Sequence, residues 1–439
     1  MLLRFRVTNH RSIRDTAELS MTSSGFSATR PADGDWGVVT NRVAGIFGSN
    51  ASGKTTVLDA LEFARTAVRD SAHWTDREFF PHEPFLLDNS SRGETSAYEI
   101  DFTAQHVRYT YGFESDRSGV QSEWLHSFPS GRKRVLFERE PSGDMEFGRS
   151  LKGENQRIAR LMGPHNLFLS VASQANHQEL RAVRHCLVRD FSYIPFSDDK
   201  RSSRIRSIRK WIEDDKARRS AESLLRFADL GILRITAEHR KLPEGTVSTM
   251  RGIVEAAFGS DEAKPSFLTD DGEWRDLLEE QQKEIGFWHS ADDGGEFRLD
   301  IAQESSGTVS WLSVAVPALQ AIESGGVFAV DELDASLHPH LVAALIELFK
   351  SPDFNRSGAQ LLFASHDTSL LGHLAGGALD REDVWFTEKD RQGVTALYPL
   401  TDFPVKRDHN IERRYLSGRY GSVPQISWSD LRTALEVGS

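Results

Sequence analysis

The sequence contains one cysteine, Cys186, and no stretch of about 20 apolar residues, the length that a membrane-spanning helix requires. One cysteine excludes an internal disulfide, so Cys186 is predicted to be a small core residue. The missing apolar stretch gives no reason to expect a membrane partner. Residues 1–7 alternate apolar and polar side chains and lack the apolar block of a secretory signal, so a cytoplasmic location is predicted.

Basic residues are outnumbered, with 53 Lys and Arg against 65 Asp and Glu and a formal net charge of −12. This balance argues against a surface that binds nucleic acid everywhere, although it leaves room for a local patch. The strongest basic cluster lies in residues 200–210, with the sequence KRSSRIRSIRK. It fits either a contact for nucleic acid or an acidic partner, or a solvated helix face paired with Glu213, Asp214 and Asp215. The second interpretation is favoured.

Apolar patterns along the chain predict an α/β protein of about two or three structural units. Residues 1–145 are rich in strand patterns, and residues 146–287 are predicted to form a compact helical insertion with few strands. Residues 288–400 return to an α/β pattern, and residues 401–439 form a polar tail. Strands are predicted at residues 3–7, 43–47, 98–103, 107–114, 135–140, 327–330 and 361–364, and helices at 57–67, 205–212, 221–227 and 341–349.

A glycine-containing loop, GSNASGKT at residues 48–55, lies between the predicted strand 43–47 and a predicted helix. The pattern G-x-x-x-x-G-K-[ST] in this context indicates a phosphate loop. Backbone N–H groups at the helix N-terminus hold phosphate oxygens. Lys54 supplies charge to the β- and γ-phosphates, and the Thr55 hydroxyl binds Mg²⁺. The predicted ATP-binding residues of the loop are Gly48, Ser49, Asn50, Ala51, Ser52, Gly53, Lys54, Thr55 and Thr56.

Two adjacent carboxylates, Asp331 and Glu332, end the apolar run at residues 327–330. Hydrolysis of a nucleoside triphosphate needs one carboxylate near Mg²⁺ and one group that orients or deprotonates the attacking water. Asp331 fits the metal role, and Glu332 fits the role of the base. Acidic residues often begin a surface loop at a strand end, but their occurrence together with a phosphate loop favours the catalytic interpretation.

Three further motifs resemble those of ABC-type ATPases of the branch that includes SMC-like chromosome proteins, break-repair ATPases and OLD-type nucleases. Residues 331–339 (DELDASLHP) resemble a Walker B motif with a D-loop, and residues 363–367 (FASHD) resemble the switch-histidine strand. Residues 304–308 (ESSGT) resemble a shortened ABC signature. The resemblance implies an ABC-type ATPase head, a mixed sheet flanked by helices. Three shorter and less specific segments resemble bacterial AAA family ATPases of phage-defence and abortive-infection loci, of the RloA type. They are residues 9–13, 168–171 and 410–416.

The resemblance also implies roles for residues outside the phosphate loop. In the family, the signature of one subunit completes the nucleotide site of the other, which implies a head-to-head dimer or higher homo-oligomer. Ser305 and Gly307 would then donate hydrogen bonds to the γ-phosphate of the partner subunit, and Asp334 would lie at the dimer seam. His366 would contact the γ-phosphate as part of the catalytic group with Lys54 and Glu332.

The sequence departs from the family pattern in three places. Ala51 occupies a position that is glycine in many ABC loops, and the signature lacks its usual Leu-Ser-Gly-Gly-Gln form. The glutamine that links the ATP site to the insertion could be any of three residues: Gln105, Gln121 or Gln174.

Two other groups of residues are predicted to have structural roles. His338 and His340 lack the spacing of a helical metal-binding pair, and His338 is predicted to start a helix or lie at an interface. Several aromatic residues are predicted to pack in a core rather than stack on bases: Trp74, Phe79, Phe80, Phe85 and Trp124.

The sequence therefore predicts an Mg²⁺-dependent ATP hydrolase that acts as a switch. The leading hypothesis is the ATPase subunit of an anti-phage defence system, controlling a separate effector protein such as a nuclease or toxin. The alternative is a DNA-binding repair or chromosome-organising ATPase of the SMC-like type. A transporter subunit is disfavoured by the long insertion and by the element at residues 9–13.

Overall fold

The computed structural model describes all residues except 23–25, 27–30, 32–33, 196–200, 240–282, 373–376, 405–408, 424–426, 430–431 and 434–439. The chain forms two compact units. The first contains Met1–Phe196 with Pro317–Ser439, and the second contains Ser197–Val316. The division into four segments predicted from the sequence has different bounds and stays a prediction.

A seven-stranded antiparallel sheet in the first unit has the strand order β2-β1-β4-β5-β6-β7-β8. Its strands are β1 (Leu2–Thr8), β2 (Ala17–Ser20), β4 (Ser96–Ala104), β5 (Val107–Asp116), β6 (Gly119–Phe128), β7 (Arg134–Arg139) and β8 (Met145–Phe147). The predicted hairpin at β4 and β5 is confirmed. Gln105 and His106 form its two-residue turn with φ of 48° and 65°, as a type I′ turn requires.

The second sheet of this unit has six strands in the order β16-β15-β3-β14-β13-β9, parallel except for the antiparallel edge strand β16. Its strands are β3 (Val43–Phe47), β9 (Phe191–Ile194), β13 (Val327–Val330), β14 (Gln360–Ser365), β15 (Val384–Lys389) and β16 (Thr395–Pro399). Strands β3, β13 and β14 are buried along their whole length. Such burial on both faces explains the continuous apolar runs from which these strands were predicted.

The helices of the first unit are α1 (Trp36–Val39), α2 (Lys54–Asp70), α3 (Asn155–Ala159), α4 (Phe168–Gln174), α5 (Gln178–Val188), α9 (Pro339–Lys350) and α10 (Ile411–Leu416). Helix α2 buries Val57, Leu58, Leu61 and Ala64 in a core that it shares with both sheets. The predicted helix after the phosphate loop is therefore confirmed, and its apolar face fixes the position of the loop. Among the described residues, no helix has the length and apolar character needed to cross a bilayer.

The second unit combines helices with a three-stranded antiparallel sheet of order β10-β11-β12. Its elements are α6 (Arg201–Glu213), α7 (Asp215–Phe227), β10 (Ile232–His239), β11 (Lys283–Ser290), β12 (Glu296–Asp300) and α8 (Ser306–Ser324), which runs past the end of the unit at Val316. The two predicted helices in this region are confirmed. Strands β10 and β11 were not predicted, because charged residues such as Arg234 and Glu284 interrupt their apolar alternation.

Candidate nucleotide-binding site

The phosphate loop connects β3 to α2, and its backbone requires residues of small size. Gly53 has a φ of 104°, and a Cβ at this position would collide with the side chain of Thr395. A Cβ at Gly48 would collide with Ser52 and Thr387. Ala51 has a φ of 63°, in the left-handed region that favours glycine. This conformation is a physical reason for glycine at the equivalent position of many ABC loops.

Hydroxyl groups from three other segments hold the phosphate loop in place. The hydroxyls of Ser52 and Thr387 are 2.7 Å apart. Thr395 Oγ1 donates a hydrogen bond to the Ser52 carbonyl oxygen at 3.0 Å, and the Ser12 hydroxyl lies 3.1 Å from the hydroxyl of Thr56. Strands β15 and β16 and the segment after β1 therefore all support the loop, and sequence reasoning missed Thr387 and Thr395.

The Lys54 side chain is buried at the centre of the loop. Its Nζ donates hydrogen bonds to the carbonyl oxygens of Gly48 at 2.8 Å and Ser49 at 3.1 Å. Burial lowers the pKa of Lys54, while the carboxylates of Asp331, Asp334 and Glu332 act in the opposite direction. The Lys54 ammonium is therefore held by neutral carbonyl oxygens. It would form stronger hydrogen bonds with the charged oxygens of a phosphate than with these carbonyls.

Asp331 directly follows β13 and contacts the start of α2. Thr55 Oγ1 donates a hydrogen bond to Asp331 Oδ1 at 3.1 Å. Burial is the main cause that raises the pKa of Asp331 to about 6, with Thr55 and Lys54 opposing it. A hydroxyl and a carboxylate side by side are hard oxygen donors, and Mg²⁺ in nucleotide sites uses one or two such groups together with phosphate oxygens. The residues present therefore fit the predicted metal role of Thr55 and Asp331.

Glu332 and His366 line the same cavity as the phosphate loop. Glu332 has a φ of 50° and an exposed side chain, a backbone conformation that is strained for a non-glycine residue and frequent at functional sites. His366 Nδ1 lies 3.0 Å from Asp334 Oδ2. The cavity has a volume of about 360 Å³ and is lined by Asn50, Ala51, Ser52, Gly53, Lys54, Thr55, Thr56, Glu332, His366 and Lys389.

The structure thus brings together most of the residues that the sequence predicted for ATP binding and hydrolysis. Lys389, at the end of β15, also lines the cavity. It was not predicted, because a lysine at a strand end is no signal by itself. A larger cavity of about 1140 Å³ adjoins the first, sharing residues 50–52, His366 and Lys389 with it. Its volume leaves room for the nucleoside part of a nucleotide.

We expect Asp331→Asn to stabilise the nucleotide-free protein, although it removes the carboxylate of the predicted metal site. Burial raises the pKa of Asp331 from 3.8 to about 6. The native state therefore holds this proton more tightly than the unfolded chain, so ionisation lowers the free energy of unfolding as the pH rises from 3.8 to about 6. Above this range the free energy of unfolding of Asp331→Asn should exceed that of the wild type by up to about 3 kcal/mol, a difference that already includes the attraction of Lys54 for the Asp331 carboxylate.

Urea unfolding at about pH 4 and about pH 8 measures this effect. The difference in unfolding free energy between Asp331→Asn and the wild type should be small at the lower pH and largest at the higher pH. Asp353→Asn, an exposed aspartate after α9, should show no such difference. A wild type that is the more stable of the two at about pH 8 would contradict the burial of an unfavourable charge at Asp331.

Ser305 and Gly307 belong to the second unit, at the N-terminus of α8. Ser305 is exposed, and its Oγ accepts a hydrogen bond from the Thr308 backbone N–H at 3.0 Å, which caps the helix. Glu304, the residue before it, lies 2.6 Å from His289 Nε2 of β11. The Ser305 hydroxyl also lies 2.9 Å from the Thr308 hydroxyl, and either oxygen can donate this bond. The role of Ser305 and Gly307 at a partner's γ-phosphate stays a prediction.

The three candidate glutamines do not line the described part of the 360 Å³ cavity. Gln105 lies in the β4–β5 turn, Gln121 bonds to Asp116, and Gln174 bonds to His73. The link from the ATP site to the insertion therefore remains unassigned.

Most residues that were predicted to be structural are so. His338 caps α9, with its Nδ1 accepting from the His340 N–H at 3.2 Å. Cys186 is half-buried against the main core. Among the aromatic residues, Trp74, Phe80 and Phe85 are buried and Trp124 is half-buried. Phe79 is exposed, with Arg117 over its ring, so the prediction that it packs in a core is wrong.

The basic cluster forms the start of α6. Lys200 lies outside the described residues. Helix α6 buries Ile208 and Ile212 and exposes Arg206 and Lys210, as expected for a solvated amphipathic helix. A binding role for this face stays a prediction.

No curated protein matches the chain. The chain is similar to the solved structure of an SMC head domain from Thermotoga maritima, with 13% identity, a TM-score of 0.38, and coverage of 92% of this chain and 99% of that one. It is also similar to an SMC head domain with an extended coiled coil bound to the C-terminal domain of ScpA, from Pyrococcus furiosus. There the identity is 12%, the TM-score 0.34, and the coverage 91% and 97%.

A family model matches residues 43–372, from the strand before the phosphate loop to the segment after His366. The matched region includes every residue of the candidate site except Lys389. The chain belongs to the AAA family described as "AAA domain, putative AbiEii toxin, Type IV TA system".

Proposed function

We propose that this protein is an Mg²⁺-dependent ATPase of the ABC type that dimerises on ATP and controls a separate effector in an anti-phage defence system. The observation that carries the proposal is the convergence of Lys54, the Thr55–Asp331 pair, Glu332 and His366 on one cavity. A cation, a metal-type oxygen pair and a carboxylate base are the groups that hydrolysis of a phosphoanhydride needs.

The side chains divide the chemistry among them. Lys54 and the backbone N–H groups of residues 52–55 bind and orient the β- and γ-phosphates. Glu332 accepts the proton of a water whose oxygen attacks the γ-phosphorus, while the bond to the β–γ bridging oxygen breaks and ADP leaves. Thr55 and Asp331 would hold Mg²⁺, which neutralises phosphate charge when bound. His366, oriented by Asp334, contacts the γ-phosphate and distinguishes ATP from ADP.

Two features of the structure support dimerisation. Ser305 is exposed at a helix N-terminus, where backbone N–H groups favour an anion. Asp334 Oδ1 is buried and has no hydrogen-bond partner in the described part of the chain, which is costly unless another molecule provides one. Both features support a partner subunit that closes over the nucleotide, so that ATP joins the subunits and hydrolysis loosens them.

Replacement of Ser305 separates helix capping from phosphate binding. Aspartate is a good N-cap residue, but its charge would repel a γ-phosphate. Ser305→Asp should therefore fold and bind ATP within one subunit yet remain monomeric with ATP in light scattering, whereas Ser305→Thr should dimerise. Dimerisation of Ser305→Asp to the same extent as the wild type would contradict a signature that acts in trans.

The defence role is supported by the family description, which names a toxin and a toxin–antitoxin system. Co-purification of a neighbouring gene product, released on hydrolysis, would support a separate effector. Metal-dependent cleavage of DNA or RNA by the pure protein would contradict it.

The DNA-binding alternative is favoured only by the exposed basic residues of α6. It predicts that DNA stimulates ATP hydrolysis and that charge reversal at Arg206 and Lys210 abolishes this stimulation.

A further inference from the structure

The C-terminal segment, defined here as the described residues 410–423, reaches the phosphate loop. It consists of α10 and the turn that follows it, and α10 packs against the short 3₁₀ helix Thr368–Leu371, directly after His366 and Asp367. Tyr415, Leu416, Ser422 and Val423 line the 1140 Å³ cavity beside the loop. The segment therefore contacts or adjoins two of the elements that bind the phosphates.

One backbone hydrogen bond joins the segment to the loop. The Ser49 N–H donates to the Ser422 carbonyl oxygen at 2.9 Å. The carbonyl of the same peptide group, that of Gly48, accepts from Lys54 Nζ at 2.8 Å. The Gly48–Ser49 peptide is thus bound on both sides, and hydrogen bonds in such a chain polarise one another. Ser422 lies one peptide group away from the lysine that binds the phosphates.

The turn is built to hold the Ser422 carbonyl in this position. Ser422 is buried with a φ of 60°, a left-handed conformation. Its carbonyl also accepts from the Tyr415 hydroxyl at 2.9 Å, and its Oγ lies 2.9 Å from the Tyr398 hydroxyl. The Phe386 ring of β15 stacks on Tyr415 and on Tyr420, with centroids 5.4 and 5.6 Å apart. A left-handed residue persists where such surroundings over-determine it.

We propose that the C-terminal segment positions the phosphate loop: the Ser422 carbonyl fixes the Gly48–Ser49 peptide and, through it, Lys54. The proposal rests on the proposed ATP-binding function. Because coupling between two sites is reciprocal, any change that displaces the segment lowers ATP affinity, and bound ATP makes the segment harder to displace. Ser422 and Tyr415 are therefore positioning residues for the ATP site.

Two substitutions of Ser422 form a matched pair. Ser422→Gly keeps the left-handed conformation, whereas Ser422→Val adds a β-branched side chain that disfavours it. Ser422→Val should raise the Kd for ATP about tenfold, equivalent to about 1.4 kcal/mol. It should also speed hydrogen exchange of the Ser49 amide in the nucleotide-free protein. Ser422→Gly should change the Kd by less than about twofold and should keep the Ser49 amide protected.

A second pair covers the case in which Ser422→Val does not fold. Tyr415→Phe removes one bond to the Ser422 carbonyl and should raise the Kd for ATP about threefold, roughly half the logarithm of the Ser422→Val effect. Tyr111→Phe removes a buried hydroxyl bonded to Glu123 in β6 and should leave the Kd unchanged. Equal Kd values for both phenylalanine variants and the wild type, or slow Ser49 exchange in Ser422→Val, would overturn the proposal. Absence of ATP binding by the wild type would instead refute the proposed function, while the exchange test of the Ser49 bond would still apply.

Discussion

Lys54→Ala is expected to lower the affinity for ATP by at least about a hundredfold. The Lys54 ammonium lines the 360 Å³ cavity, and among the described residues it donates to the carbonyls of Gly48 and Ser49. Each charge-assisted hydrogen bond to a phosphate contributes about 1.5–3 kcal/mol, so the loss of two such bonds accounts for the effect. Without the cation, Asp331, Asp334 and Glu332 would also repel the triphosphate.

The nucleotide-free fold should tolerate this change, because burial already lowers the pKa of Lys54 and charging the group is costly. Thermal unfolding without nucleotide should therefore be close to that of the wild type. Lys133→Ala, which removes an exposed lysine beside Glu138, should leave ATP affinity unchanged. ATP affinity in Lys54→Ala within about threefold of the wild type would show that the loop does not hold the phosphates.

Glu332→Gln is expected to slow ATP hydrolysis by about a hundredfold to ten-thousandfold while ATP affinity is kept. Glutamine preserves the size of the side chain and can still hydrogen-bond a water, but it cannot accept its proton. Glu332 is exposed to the cavity and enters no described ion pair, so the substitution breaks no internal contact. The variant should accumulate the ATP-bound assembly, which single-turnover kinetics and light scattering would both detect.

Glu347→Gln provides the matched control, since it makes the same chemical change on an exposed position of α9. It should hydrolyse ATP at the wild-type rate. Should Glu332→Gln also hydrolyse ATP at that rate, Glu332 is not the base and another group activates the water. Equal loss of binding and hydrolysis would instead assign Glu332 to nucleotide binding.

The parts of the fold that the sequence predicted are those where one physical constraint acts locally. Strands β3, β13 and β14 are buried on both faces, so each must be an apolar run. The phosphate loop needs glycine at positions 48 and 53, because a Cβ there would meet Ser52, Thr387 or Thr395. Asp331 and Glu332 follow β13, and the carboxyl ends of parallel strands are where α/β sheets hold their ligands.

The parts that the sequence did not predict depend on contacts between distant residues. Strand β9 joins β13 with only four residues, mostly half-buried, so it has no distinct pattern. The hydroxyls of Thr387 and Thr395 that support the phosphate loop resemble those of any exposed threonine. The bond between the Ser49 N–H and the Ser422 carbonyl involves backbone atoms only. No particular side chain is needed for it, so the sequence carries no sign of it. Residues 410–416 resemble a family motif, but that motif does not include Ser422 and predicts no contact with the phosphate loop.

Calorimetric titration of the wild-type chain with ATP and Mg²⁺ tests the central claim most directly. The structure leads us to expect saturable binding of one nucleotide per chain, lost in Lys54→Ala and retained in Glu332→Gln. Failure of the folded wild-type protein to bind any nucleoside triphosphate in the presence of Mg²⁺ would contradict the account.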